Sequence, residues 1–131
     1  MRDIWAIRPN ELSRIVMKNP KVFEDYMEAE VTEDPIEWKV QQMRALEASA
    51  RYLFPFGDTG LKYRLKRIST EVLIIRGEED VILPESHVSL YKNRIPKGVL
   101  YETVRDAGHL CELEQPQSVF QIVENFFGTA R

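Results

Sequence analysis

The sequence of 131 residues is poor in cysteine: Cys111 is the only one, so no disulfide can form within the chain. Its start also lacks the charged and then apolar pattern of a signal peptide, and both features favour a reducing, cytoplasmic compartment. No apolar run approaches the roughly 20 residues that a helix needs to cross a bilayer. We therefore expect a soluble, cytoplasmic protein.

An excess of one charge sign is also lacking, since 18 basic residues stand against 21 acidic ones and give a net charge of −3. Nucleic acids and anionic membranes are bound by clustered basic surfaces, so we expect neither as a partner. With only two histidines and one cysteine there is no ligand cluster, and no metal or cofactor is predicted. The composition, 44% hydrophobic and 30% charged, is typical of a globular domain with a real core.

The first half of the chain carries only helix signals. A short helix starts at Pro9-Asn10 and is interrupted by Asn19-Pro20, and a second helix is predicted over 21–30. Asp34-Pro35 predicts the start of a long helix, because aspartate caps free amides and proline at the first helical position loses no hydrogen bond. Pro55 ends it. One stripe of this helix is apolar, opposite charged residues that face water; it comprises Ile36, Val40, Met43, Ala50 and Leu53 or Phe54.

From Glu71 the pattern changes to alternating strands and helices. After a helical turn over 61–68, we expect strands at 72–76 and 99–104 and helices at about 85–94 and 116–127. Every position from Val72 to Ile75 is apolar, which is typical of a strand covered on both faces, as in parallel sheets. The predicted fold class is α/β, with a β-α-β-α unit that holds two parallel strands.

Two residues capable of acid–base chemistry follow these strands, Asp80 after the first and His109 after the second. The carboxyl ends of neighbouring parallel strands lie side by side, so the two residues should meet. A carboxylate that binds one imidazole nitrogen fixes the tautomer and leaves the other nitrogen free to take a proton. On spacing alone, the alternative remains that Asp80 forms a turn and His109 is a loop residue. His87, in the predicted helix between the strands, is expected to be exposed.

The segments around this pair, 73–84, 106–109 and 114–116, closely resemble the C-terminal part of the α/β-hydrolase superfamily. In that family Gly-x-x-Asp-x-x-x-Pro follows the seventh strand and carries the catalytic acid, which matches Asp80. Ala-Gly-His, with Glu-x-Pro after it, follows the eighth strand and carries the catalytic histidine, which matches His109. The resemblance implies a helical cap-like region at 1–60 and the C-terminal part of a hydrolase core at 61–131. We expect the two regions to form one compact unit.

The resemblance further implies a parent enzyme that cleaves an ester, an amide or a carbon–carbon bond. A small apolar substrate could then lie in a cavity lined by Trp5, Trp38, Met43 and the aromatic residues of 54–56. Packing of these side chains in a helical core is the favoured alternative.

The nucleophile of that family has no counterpart in the sequence. It lies in a Gly-x-Ser-x-Gly elbow, and none of the serines has such flanking glycines: Ser13, Ser49, Ser69, Ser86, Ser89 and Ser118. Cys111 lies two residues past His109 and is predicted to be a small core residue. We therefore expect a C-terminal fragment of a hydrolase that is inactive alone, or alternatively a non-catalytic structural or interaction module.

A sheet of two strands leaves the apolar first strand with an unpaired edge. Such a unit is marginal alone, and an open apolar edge invites pairing with another chain. We expect a homodimer that joins two sheets through this edge, burial of the edge by rearranged helices, or a missing N-terminal half as the partner.

Overall fold

The computed structural model describes residue 7 and residues 9–29, 34–53 and 60–129. Three helices come first, α1 (Pro9–Val16), α2 (Pro20–Ala29) and α3 (Pro35–Leu53). The rest comprises α4 (Leu61–Arg64) with a 3-10 turn (Leu65–Arg67), β1 (Leu73–Gly77), α5 (Glu85–Lys92), β2 (Leu100–Val104), α6 (Cys111–Glu114) and α7 (Pro116–Thr129). The predicted order of helices and strands is confirmed, and α6 is an addition to it.

The two strands form a parallel sheet in which Leu73 lies opposite Leu100 and Gly77 lies opposite Val104. Helix α7 packs on one face of the sheet, where Val119 and Ile122 contact the cluster around Val104. The cluster comprises Val104, Ala107 and Cys111, with Ile75 packed against it. Cys111 is thus a buried core residue.

Helix α5 covers the other face of β1. Successive side chains of a strand point to opposite faces, so Ile74 points away from the α7 side, and it lines a pocket together with Val88 and Tyr91 of α5. Both faces of β1 are therefore next to a helix. This explains why the strand is apolar at consecutive positions rather than at every second one.

The first two helices pack against the loops that follow the strands. Val16 and Met17, at the end of α1, are buried with Ile82 from the loop after β1. Partly buried side chains around them come from α1, α2 and the segment after β2: Leu12, Ile15, Val22, Phe23, Leu110 and Leu113. This contact brings α1 and α2 to the carboxyl end of the sheet.

Helix α3 begins where the sequence predicts. Asp34 caps it, because its Oδ1 accepts hydrogen bonds from the backbone N–H groups of Ile36 at 2.8 Å and Glu37 at 3.2 Å. Its apolar stripe, however, is exposed: Ile36 is 75% and Met43 70% accessible. No element in the described part of the chain covers that face, which is why packing of Met43 in a helical core is a wrong prediction.

Among the aromatic residues of that predicted cavity, Trp38 lies in α3 and is half-buried, whereas Trp5 and the residues of 54–56 lie outside the described residues. An apolar groove of about 410 Å³ does occur next to α3, on a different side of the helix. Leu12, Phe23 and Met27 form one wall, and Ala45 and Leu46 form the other. The division at residue 60 stays a prediction.

One edge of β1 has no partner in the described part of the chain. Leu100 N–H donates to Val72 O at 2.9 Å, and Glu78 N–H donates to Val104 O at 2.9 Å. In a parallel ladder with this register, the backbone groups of Leu73 and Ile75 point away from β2. The sheet order within the described residues is β1-β2, so these groups remain unpaired there.

Among the helices described, none combines the length and the apolar character that a membrane span requires.

Candidate active site

The turn that follows β1 holds the carboxylate of Asp80 in a fixed orientation. Asp80 N–H donates to Gly77 O at 3.2 Å, which closes the turn. Asp80 Oδ1 accepts hydrogen bonds from the backbone N–H groups of Ile82 at 2.8 Å and Leu83 at 3.0 Å. The side chain is only 5% exposed. Backbone N–H groups of the turn therefore bind Oδ1, whereas Oδ2 faces the loop that follows β2.

His109 occupies that position. Its Nδ1 lies 2.9 Å from Asp80 Oδ2, and its side chain is 30% exposed. The backbone N–H of His109 donates to Val16 O at 2.8 Å, so the end of α1 holds this loop from outside the sheet. The structure thus brings together the two residues that the sequence singled out.

The pKa of Asp80 lies below its ordinary value of 3.8. Burial by itself raises this pKa, but hydrogen bonds from His109 and from the backbone of Leu83 and Ile82 lower it and outweigh the burial. The carboxylate is therefore ionised at neutral pH and accepts from Nδ1–H. This leaves Nε2 of a neutral His109 as the lone-pair nitrogen, able to accept a proton.

The two loops that carry the pair touch through their backbones. Glu79 N–H donates to Ala107 O at 3.0 Å. A Cβ atom on Gly77 would lie 1.9 Å from Gly108 O and 2.5 Å from Ala107 O. Only glycine fits at position 77, because the backbone of the second loop occupies the space of a side chain.

Glu114 joins the histidine loop to the segment between α1 and α2. Its Oε2 accepts a hydrogen bond from Gly108 N–H at 2.6 Å, and its Oε1 accepts one from Asn19 N–H at 2.6 Å. Each carboxylate oxygen therefore satisfies one backbone donor. The residue before His109 is fixed by this bridge.

We expect Glu114→Ala to lower the free energy of unfolding by about 1–2 kcal/mol, because two backbone N–H groups lose a charged acceptor. Urea unfolding followed by circular dichroism measures the loss. The matched control is Glu112→Ala, since Glu112 is exposed on the same short helix and should change stability by less than about 0.5 kcal/mol. Equal effects of the two substitutions would contradict the bridging role.

Lys18 links the same segment to both loops. Its Nζ lies 2.6 Å from Asp106 Oδ1 and 2.5 Å from Glu79 Oε1. Hydrogen bonds to Asp106 and then Glu79 raise the pKa of Lys18 well above 10.5. All three side chains are at least one third exposed, so solvent screens the pairs and their value for stability is small.

The sequence did not predict the contacts that Lys18 and Glu114 form with the two loops. Lys18 and Asp106 are 88 residues apart, and Asn19 and Glu114 are 95 apart, so no local spacing signals either contact. Glu114 could have been noticed, since it belongs to the Glu-x-Pro pattern after the histidine. Lys18 had no signal.

A pocket of about 120 Å³ opens beside the pair, between β1 and α5. Its lining includes Ile74, Leu83, His87 and Tyr91 in addition to Asp80 and His109. His87 is half-buried, and its Nδ1 is buried without a hydrogen-bond partner among the described residues. The expectation that His87 is exposed is wrong, because its side of α5 lies against β1.

The described walls of this pocket contain no serine or cysteine that could act as a nucleophile. Ser13 is buried elsewhere and donates to Glu24 Oε1 at 3.2 Å. Burial, and then the charge of Glu112, raise the pKa of the Cys111 thiol, which makes it a poor nucleophile. Nor do the described residues include a group of three side chains that could hold a metal ion.

Hydrolases are among the known proteins that resemble this chain. The chain is 30% identical over 91 residues to carboxylesterase YbfK of Bacillus subtilis strain 168, covering 70% of this chain and 29% of the relative. No protein-family model matches it. The chain spans less than a third of the curated relative's length.

Two solved structures share the fold. A 2-hydroxy-6-oxo-6-phenylhexa-2,4-dienoate hydrolase (BphD) from Rhodococcus sp. strain RHA1 is 22% identical with a TM-score of 0.63, covering 89% of this chain and 42% of that one. Est816, described as an N-acyl homoserine lactone degrading enzyme, is 23% identical with a TM-score of 0.51, covering 94% of this chain and 53% of that one. The chain is therefore related to the α/β-hydrolase superfamily and has part of the α/β-hydrolase fold.

Proposed function

We propose that Asp80 and His109 are the acid and the base of a hydrolytic active centre whose nucleophile is supplied by residues outside this chain. The observation that carries the proposal is the 2.9 Å contact between Asp80 Oδ2 and His109 Nδ1, with Asp80 Oδ1 already bound by two backbone N–H groups. This arrangement directs a free Nε2 away from the carboxylate. A base of that kind takes the proton of an attacking hydroxyl and returns it to the leaving group.

Alone, the chain should not cleave esters. An acyl intermediate needs a nucleophile to form it and N–H donors to stabilise its oxyanion, and the pair supplies neither. The names of the relatives support hydrolysis of an ester or a lactone by a complete enzyme, while cleavage of an amide or a carbon–carbon bond stays a prediction from the sequence. The apolar groove beside α3 supports an apolar substrate, with the helices of 1–60 as a cap and 61–131 as the end of the core.

The test joins this chain to the part of carboxylesterase YbfK that lies outside the aligned region. We expect the chimera to hydrolyse a nitrophenyl ester, and His109→Ala to reduce its kcat by about 10³-fold or more, because the nucleophile loses its base. The chain alone should give no turnover above buffer. Turnover by the chain alone that His109→Ala abolishes would overturn the proposal of a missing nucleophile.

A second candidate function, a non-catalytic interaction module, is supported by the open edge of β1. Among the described residues, no backbone group pairs with Leu73 and Ile75 at this edge, and the strand carries no lysine or proline to protect it. A second copy of the chain, or an N-terminal half of the hydrolase, would pair there. The buried, unpaired Cys111 supports a reducing, cytoplasmic location for either function.

We expect Leu73→Pro to convert a homodimer to a monomer. Leu73 opens β1 and its N–H points away from β2, so proline there removes a donor from the free edge and none from the existing ladder. Leu73→Ala is the control, because it shortens the same side chain but keeps the N–H. Sedimentation at high concentration measures the outcome, and a monomeric wild-type chain would contradict pairing between copies.

A further inference from the structure

We propose that Arg76 is a positioning residue that holds the turn around Asp80 and thereby keeps the carboxylate directed at His109. The proposal rests on the acid–base role proposed for the pair. Arg76 lies on β1, one residue before its end, while Asp80 lies in the turn that follows. The side chain of Arg76 thus links a regular strand to the irregular segment that carries the acid.

The guanidinium of Arg76 binds three backbone carbonyl groups of this one turn. Nη2 donates to Asp80 O at 2.8 Å, Nε donates to Leu83 O at 3.0 Å, and Nη1 lies 3.5 Å from Glu78 O. The acceptors therefore lie before, at and after the acid. In the described part of the chain, Arg76 forms no ion pair with a carboxylate.

Three carbonyl oxygens that converge on one point repel one another unless a cation or water lies between them. A guanidinium meets this need better than an ammonium, because its planar fork presents several N–H donors in fixed directions. Such charge-assisted hydrogen bonds are stronger than neutral ones. Arg76 therefore stabilises one path of the turn backbone over others.

The path of the turn decides where the carboxylate points. Asp80 Oδ1 is bound by the N–H groups of Ile82 and Leu83, which belong to the same turn as the carbonyls that Arg76 binds. If the turn relaxes, the oxygen that faces His109 moves with it. A side chain fixed by a supporting residue on a rigid strand is held more closely than one held by its loop alone.

The test measures the tautomer of neutral His109 in the full-length, nitrogen-15-labelled chain by NMR. The chain has two histidines, so the variant His87→Gln assigns the signals. In the wild type we expect the Nδ1–H tautomer, because Nδ1 donates to Asp80. Arg76→Met should lower the ratio of Nδ1–H to Nε2–H tautomers about threefold to tenfold, the change that corresponds to weakening one hydrogen bond.

Arg76→Lys keeps the charge and the aliphatic stem but offers one donor group. Its ratio of Nδ1–H to Nε2–H tautomers should therefore lie between those of Arg76→Met and the wild type. Arg67→Met is the matched control, since Arg67 is exposed and its loss should leave the ratio unchanged. Folded Arg76→Met with a wild-type ratio would overturn the proposal, even if its thermal stability falls. If Arg76→Met does not fold, an unchanged ratio in Arg76→Lys overturns it instead.

This measurement is independent of catalysis. A wild-type His109 found in the Nε2–H form would contradict the proposed function, because the pair would then not be arranged as acid and base. A shift of the ratio in the Arg76 variants, with no activity in the chimera, would support the positioning role while the proposed function failed.

Discussion

Gly77→Ala should destabilise the chain by about 3 kcal/mol or more, which is enough to prevent folding of a marginally stable unit. The added Cβ would lie 1.9 Å from Gly108 O and 2.8 Å from Ala107 C, and both atoms belong to backbone. Backbone at the end of a paired strand cannot move aside as a flexible side chain can. The loops after β1 and β2 would have to separate, which would also pull Asp80 away from His109.

The loss is measured by urea unfolding, or by circular dichroism and expression yield if the variant does not fold. Gly128→Ala is the matched control, because a Cβ there meets nothing within 4 Å and the residue lies in α7. In a helix, alanine is favoured over glycine by up to about 1 kcal/mol, so this variant should be as stable as the wild type or slightly more so. A Gly77→Ala chain within about 1 kcal/mol of the wild type would mean that the loops are further apart than described.

The strand that ends at Gly77 also shows which features local sequence patterns can predict. This strand could be predicted, because consecutive apolar residues indicate a strand buried on both faces. In the structure, α5 and α7 lie on these two faces. The start of α3 could be predicted as well, since Asp34 satisfies its first amides directly. Each of these signals lies within a few residues of the feature it predicts.

The expectations that failed depended on how distant parts of the chain pack against a helix. An apolar stripe indicates which face of a helix is suited to burial, but not whether another element packs on that face. In α3 this face is not buried, since Ile36 and Met43 are exposed. His87 is half-buried because of how α5 lies on β1, which helix periodicity does not determine. The same limit applies to the candidate site. The ends of the predicted strands indicated Asp80 and His109, but no pattern near Lys18 indicated its contacts.

The second large effect concerns Asp80 itself and depends on pH. Asp80→Asn should lower the free energy of unfolding at pH 7 by about 2–3 kcal/mol. The substitution makes a buried, charged acceptor of three hydrogen bonds neutral, and it places an amide against His109 Nδ1. The pKa of Asp80 is lower in the folded chain than its ordinary 3.8. A carboxyl with a depressed folded pKa contributes stability that is present above the unfolded value and lost as the pH falls through the folded one.

The difference between Asp80→Asn and the wild type should therefore be full at pH 5 to 7 and shrink below about pH 4. Protonation of Asp80 in the wild type then removes the same charge that the substitution removes. Urea unfolding of both chains across this range gives the difference at each pH, with Glu102→Gln as an exposed control from β2. A difference that stays constant down to pH 3 would mean that the asparagine is disfavoured for its shape, and that the ionised carboxylate does not hold His109 in place.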